Sequence, residues 1–171
     1  MKRVLTSLLA VLALIAPVAA DGQKKDGGLK NQYQNIEVAN FDVKEGIDFP
    51  ADYMTGMMGE IVKELQNLKK FKQVYRASET PTDAAAPTIQ LVGTVTKYKA
   101  GSRAKRYLIG FGAGQTKVVA HVKFIDKATG NVLYERDVDG KIAIGIFGGE
   151  SKTSLRDVGK EIAENAKKRF F

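Results

Sequence analysis

Two runs of alternating residues constrain this chain more than any other feature. Between Thr88 and Tyr98, the residues Ile89, Leu91, Gly93 and Val95 fall on one side of an extended backbone and mostly polar residues on the other. Gln115 to Asp126 repeats the pattern with Val118, Ala120, Val122 and Phe124. Side chains of a strand point alternately to opposite faces, so each run predicts a strand with one buried and one solvated side. The second run ends in Asp126-Lys127-Ala128-Thr129-Gly130-Asn131, a tight turn with Gly where positive φ is needed, after which Val132, Leu133, Tyr134 and Val138 follow. That order predicts a β-hairpin. Ile142 to Phe147 adds another strand, and shorter ones are expected at Ile36 to Val43 and at Phe71 to Arg76. Gly46 to Pro50 reads as a turn and Ser78 to Pro87 as a surface loop.

Helical periodicity brackets these strands. Met54, Met57, Met58, Ile61, Val62, Leu65 and Leu68 recur at three- and four-residue steps, and so do Leu155, Val158, Ile162, Ala163 and Ala166 behind a capping Ser151 or Thr153. Gly56 and Gly59, costly inside a helix, mark a face open to close approach, by the protein's own sheet before any partner. Strand, helix, several strands, helix does not repeat the βαβ unit. It predicts an α+β two-layer sandwich, a mostly antiparallel sheet of five or six strands with both amphipathic helices on one face.

The 171 residues suffice for one such domain, placed at 35–171. Ahead of it, Lys2 and Arg3, an apolar run from Val4 to Ile15, and Pro17-Val18-Ala19-Ala20 make a secretory signal peptide over 1–20, with cleavage after Ala20. Residues 21–34 are rich in Gly, Lys and Gln and read as a flexible tether. No later segment is long and apolar enough for a transmembrane helix. The mature chain is therefore expected to be soluble and exported, periplasmic or secreted, or peripheral to the outer membrane.

Composition removes much chemistry. With no Cys there are no thiolate zinc sites, iron–sulfur clusters or thiol nucleophiles, and one His excludes multi-His metal sites. No cofactor is expected. Tyr107-Leu108-Ile109-Gly110-Phe111-Gly112-Ala113-Gly114 invites comparison with a phosphate cradle, but a nucleotide loop opens a helix and this one leads into a strand. A glycine-punctuated bend is the expected structure, and Ile142 to Gly149 has the same texture. His121 lies on the face opposite Val118, Ala120, Val122 and Phe124; local spacing sets no Ser or carboxylate beside it, so a surface role is expected. Asp126, Glu135, Asp137 and Asp139 cluster at the hairpin, where turn and surface roles suffice. The closing pair Phe170-Phe171 follows a helical Lys167-Lys168-Arg169 and is expected to fold back onto the domain.

The clearest polar feature is the segment from Lys97 to Arg106. It holds Lys97, Lys99, Arg103, Lys105 and Arg106 with no anion, and Tyr98 and Tyr107 flank it. Of the formal +8 charge, Lys2 and Arg3 leave with the signal peptide and these five cations take most of the rest, so the remainder is close to neutral. Such a segment attracts polyanions, or, as a solvated loop, keeps an edge from pairing. Export disfavours nucleic acid and favours an envelope protein or an anionic lipid or glycan surface. The candidate contacts are Lys97, Lys99, Arg103, Lys105, Arg106, Tyr107, Gly110, Gly112 and Gly114. Two other readings stand beside this binding module: a hydrolase or small-ligand enzyme with a dispersed site gathering His121 or several carboxylates, and a self-assembling homo-oligomeric envelope component.

Val92-Gly93-Thr94-Val95-Thr96-Lys97-Tyr98, Gly101 to Tyr107, Gly110-Phe111-Gly112-Ala113-Gly114, Asp126 to Gly130 and Gly148-Gly149 together resemble the exported bacterial family called domain of unknown function 4410. The resemblance covers nearly all of the mature chain and implies no reaction and no catalytic residue. More remotely, the opening strand, Met-rich helix and later hairpins are similar to periplasmic α/β domains of curli-secretion-channel and penicillin-binding-protein-activator lipoproteins. Those are binding or assembly modules, which implies an envelope accessory role; the chain departs from them in having no lipidated Cys and no long hairpins able to build an oligomeric barrel.

Overall fold

A computed structural model of the chain describes residues 28–100, 116–142 and 152–171. Its elements run β1 (Asn35–Val38), β2 (Asp42–Val43), α1 (Ala51–Asn67), β3 (Gln73–Arg76), β4 (Thr88–Lys99), β5 (Thr116–Asp126), β6 (Val132–Ile142) and α2 (Lys152–Phe170). The six strands form one sheet in the order β3-β1-β4-β5-β6, with β2 beside β4 farther along. The long β4–β5 and β5–β6 ladders are antiparallel. The three parallel pairings, β1 with β3, β1 with β4 and β2 with β4, span four residues or fewer. The fold is the α+β sandwich that the periodicities predict. α1 carries the chain from β1 to its parallel neighbour β3, and the 77–87 loop carries it from β3 across β1 to β4, also parallel; such strands require crossover connections.

Both helical stripes face the same side of the sheet. Met57, Met58, Ile61 and Leu65 of α1 and Leu155, Val158, Ile162, Ala163, Ala166 and Phe170 of α2 share a core with Ile36, Val38, Ile89, Leu91, Val118, Ala120, Val122 and Phe124. The close approach expected at Gly56 is made to α2. A Cβ there would lie 2.8 Å from Leu155 Cδ1, and one on Gly159 would lie 2.9 Å from the Glu60 carbonyl oxygen, while Gly59 has open space around it. Arg156 Nε donates to Glu64 across the same helix pair at 3.0 Å.

The tether reading needs correction at its end. Leu29 and Tyr33 are buried, the Asn31 N–H donates to the Phe170 carbonyl at 2.7 Å, and the Tyr33 hydroxyl donates to Asp126 at 2.9 Å. Two large side chains in a polar segment suffice to seat it, and composition averages them away. Residues 1–20 and the first half of the tether, 21–27, lie outside the described residues. Phe170 is fully buried, and Phe171 meets Phe71 edge to face at 5.0 Å, so the terminal pair folds back as expected. Gly130 takes φ 74° in the hairpin turn, and the Asp126 carboxylate accepts the Ala128 and Thr129 N–H groups.

Candidate functional site

Strict alternation in β4 would turn Lys97 and Lys99 inward after Ile89, Leu91, Gly93 and Val95. A bulge prevents it. The register steps from Val95↔Ala120 to Lys97↔Val119, leaving Thr96 unmatched, and its hydroxyl donates to the Val119 carbonyl at 3.3 Å. One extra residue reverses the phase of everything beyond it. Tyr98 therefore turns to the helix side, where it meets Phe49 at 5.2 Å and Tyr53 at 6.2 Å, both edge to face. Burial raises the Tyr98 hydroxyl above its ordinary pKa, reinforced by Tyr53, Asp48 and Asp52. Lys97 and Lys99 are exposed on the outer face, the one without helices.

Register then adds a residue that the sequence does not connect with them. Lys99 lies directly opposite Lys117, which lies opposite Lys141. Deeper along the same face the rows are mixed. His121 Nδ1 is 2.8 Å from Asp137 and Nε2 is 3.5 Å from Glu135, which also pairs with Lys123 at 3.4 Å. Local spacing sets no carboxylate beside His121, but register does: His121 pairs with Asp137 across β5 and β6, a neighbourhood that spacing within one strand does not encode. His121 does face away from the core. With Nε2 turned to Glu135, the ring's second nitrogen also faces an acid rather than a hydroxyl, so among the described residues His121 is not set beside a nucleophile. Among the described residues no three His, Asp or Glu side chains are placed to hold a metal ion.

A second polar cluster lies at the opposite end of the outer face. Glu37 is buried, with its side chain 6% exposed; it pairs with Lys127 and accepts from Gln90 Nε2 at 2.7 Å. Burial pushes its carboxyl up, but hydrogen bonds from Lys127, Gln90 and Tyr75 together bring it below the usual carboxylate range. Its contacts tie β1, β4 and the hairpin turn together. Nearby, burial and the Asp126 hydrogen bond raise the Tyr33 hydroxyl to about 12. A raised pKa means the folded state keeps a proton that the unfolded chain gives up near pH 10. This contribution is complete below about pH 10 and is lost as pH rises toward 12. Thermal unfolding followed from pH 9 to 12 should show wild type losing stability over that interval, and Tyr33→Phe, which has no such proton, losing visibly less.

Of the nine candidate contacts, Lys97 and Lys99 are described, and both belong to the end of β4, which runs one residue beyond the strand expected to Tyr98. Arg103, Lys105, Arg106, Tyr107, Gly110, Gly112 and Gly114 lie outside the described residues, as do 143–149 of the second glycine-rich segment. Lys117 is the residue that reading the sequence missed. The clue available is the phase break itself: Lys97 stands where an inward residue is due, and Tyr98 where an outward one is.

Among the described residues the architecture is a two-layer α+β module with a cationic end on the sheet face away from the helices. The chain belongs to the family described as Domain of unknown function (DUF4410), whose model matches residues 32–145. No curated protein matches it. Among solved structures it is similar to a point variant of the PelC dodecamer from Paraburkholderia phytofirmans, at 16% identity and a TM-score of 0.54 over 84% of this chain and 92% of that one. It is also similar to protein XCC0632 from Xanthomonas campestris, at 12% identity and a TM-score of 0.52 over 80% and 86% of the two chains. The hypothetical protein CT253 from Chlamydia trachomatis matches at 12% identity and a TM-score of 0.50 over 80% and 97%. At such identities these likenesses concern the fold. Among the described residues no helix is long and apolar enough to cross a membrane.

Proposed function

We propose that this protein is an exported, non-enzymatic accessory module of the bacterial envelope that binds a macromolecular partner through the cationic end of its sheet. The reading takes Lys97 and Lys99 as contacts, with Arg103, Lys105, Arg106, Tyr107, Gly110, Gly112 and Gly114 continuing them along the chain. The observation that carries it is the Thr96 bulge, which sends both lysines to solvent beside Lys117 instead of into the core. Lys99, Thr116 and Ile142, from which the two glycine-rich segments depart, are neighbours at one end of the sheet. Crosslinking of the tagged protein in its own cells tests the reading. Changing Lys97, Lys99, Arg103, Lys105 and Arg106 together to Ala should remove specific partners from the crosslinked set; a set retained whole refutes it.

A second reading, a self-assembling envelope component, draws support from the similar fold of PelC, whose structure is a dodecamer. Light scattering on the purified protein separates the two, since self-assembly requires a mass several times that of one chain.

A further inference from the structure

The outer face of the sheet changes character along its length. Toward its middle the basic side chains meet acids, His121 beside Asp137 and Lys123 beside Glu135. At the end, Lys99, Lys117 and Lys141 follow one another across β4, β5 and β6, and Lys97 lies one row in, opposite Val119. Neighbouring strands are about 4.8 Å apart, so this row strings three lysine positions along roughly 10 Å. Like charges set directly opposite destabilise a sheet. Among the described residues no carboxylate forms an ion pair with Lys97, Lys99 or Lys117. Their positive charge is thus not used in any ion pair among the described residues.

The side-chain type selects the occupant. Lysine is a hydrated point charge on a flexible stem, whereas recognition of a single phosphate or carboxylate favours the planar fork of arginine. Exposed lysines in a row on an open face suit an extended anionic surface, which attracts them at a distance without stripping their water. We infer that Lys97, Lys99 and Lys117 dock the protein onto an anionic lipid bilayer, an assignment that rests on the reading of this end as a partner surface. Charge also sets the limits of the contact. Asp48 and Asp52 act on Tyr98 from the helix side, Asp139 stands in the Lys97 row on the far side of Val119, and Asp42 is exposed farther along the outer face. These carboxylates are repelled by the same bilayer, so the protein meets it with the lysine end and not with its whole face.

Vesicle flotation of the exported protein tests this docking. Phosphatidylcholine vesicles carrying phosphatidylglycerol should float the protein, pure phosphatidylcholine vesicles should not, and binding should fall as salt rises from about 0.05 M to about 0.5 M. Each lysine near an anionic membrane is worth about a factor of five in partitioning, so Lys99→Ala with Lys117→Ala should lower it about thirtyfold. The same loss of charge on the helix layer, Lys63→Ala with Lys160→Ala, should change it by less than about twofold, being screened from the contact. The first double variant relieves repulsion, so its thermal midpoint should not fall, which separates lost docking from lost folding. Equal flotation on neutral and anionic vesicles, or an unchanged Lys99/Lys117 variant, overturns the inference. If vesicles fail while a soluble polyanion such as heparin binds wild type and not the variant, the bilayer is the wrong occupant and the partner surface stands. If both fail and crosslinked partners are also retained, that reading falls too.

Discussion

Phe170→Ala is expected to lower the free energy of unfolding by about 3–5 kcal/mol, a large share of what a domain this size has. The penultimate residue of a chain ordinarily frays and tolerates change. Here it is fully buried, with its ring 5.5 Å from Phe124 and 5.9 Å from Tyr33. Its carbonyl also accepts the Asn31 N–H, so the end of α2 clamps the segment that enters β1. Truncation to Ala leaves a cavity among residues from β5, α2 and the entering segment, three parts that cannot collapse together without moving the sheet. Urea unfolding should show the midpoint falling with little change in slope, and heat should unfold the variant about 10–15 °C earlier. Phe171→Ala removes an edge-to-face contact with Phe71, worth about 1 kcal/mol, and the packing of a ring only partly buried, so it should cost less. Equal small effects at both positions would mean that the terminal turn of α2 is not part of the core.

What the sequence makes legible here follows physical locality. β4, β5 and both helices announce themselves by their periods, which survive into the fold with most of the expected residues buried. β6 is announced by the turn before it; there Val138 is buried and Val132 is exposed. β1 and β2 are visible only as one imperfectly alternating run from Ile36 to Val43, which the fold divides at 39–41. The parallel pairing of β1 with β3 comes from where α1 lands, and that with β4 from the 77–87 loop. Of the candidate site, Lys97 and Lys99 are visible as charge, but which side of the sheet they occupy depends on one unmatched residue, Thr96. Lys117 beside Lys99, and Asp137 beside His121, are facts of register. Register is decided jointly by two strands and their core face, so neither strand read alone reveals it. Leu29 and Tyr33 show the reverse error, where a polar average hides two residues that the core needs.

The same dependence on distant pairing makes Gly93 the other position where one substitution should do most damage. β1 holds β4 from Thr88 to Leu91, and β2 takes it up again at Thr94 and Val95. Between them the chain leaves the ladder, and Phe41 is laid into the gap, buried against Gly93. A Cβ on Gly93 would stand 2.6 Å from Phe41 Cδ2 and Cζ, nearer than atoms pack. The backbone of a central strand cannot withdraw, so the ring must. Gly93→Val should therefore cost about 3 kcal/mol or more, combining overpacking with partial loss of a buried aromatic ring. A double-mutant cycle with Phe41→Ala identifies the cause. Once the ring is gone the added methyls occupy vacated space, so the pair should be less destabilised than the sum of the singles by more than about 1 kcal/mol. Strict additivity would instead locate the damage in β4 itself, in a loss of register that the glycine guards, and would separate Gly93 from Phe41 altogether.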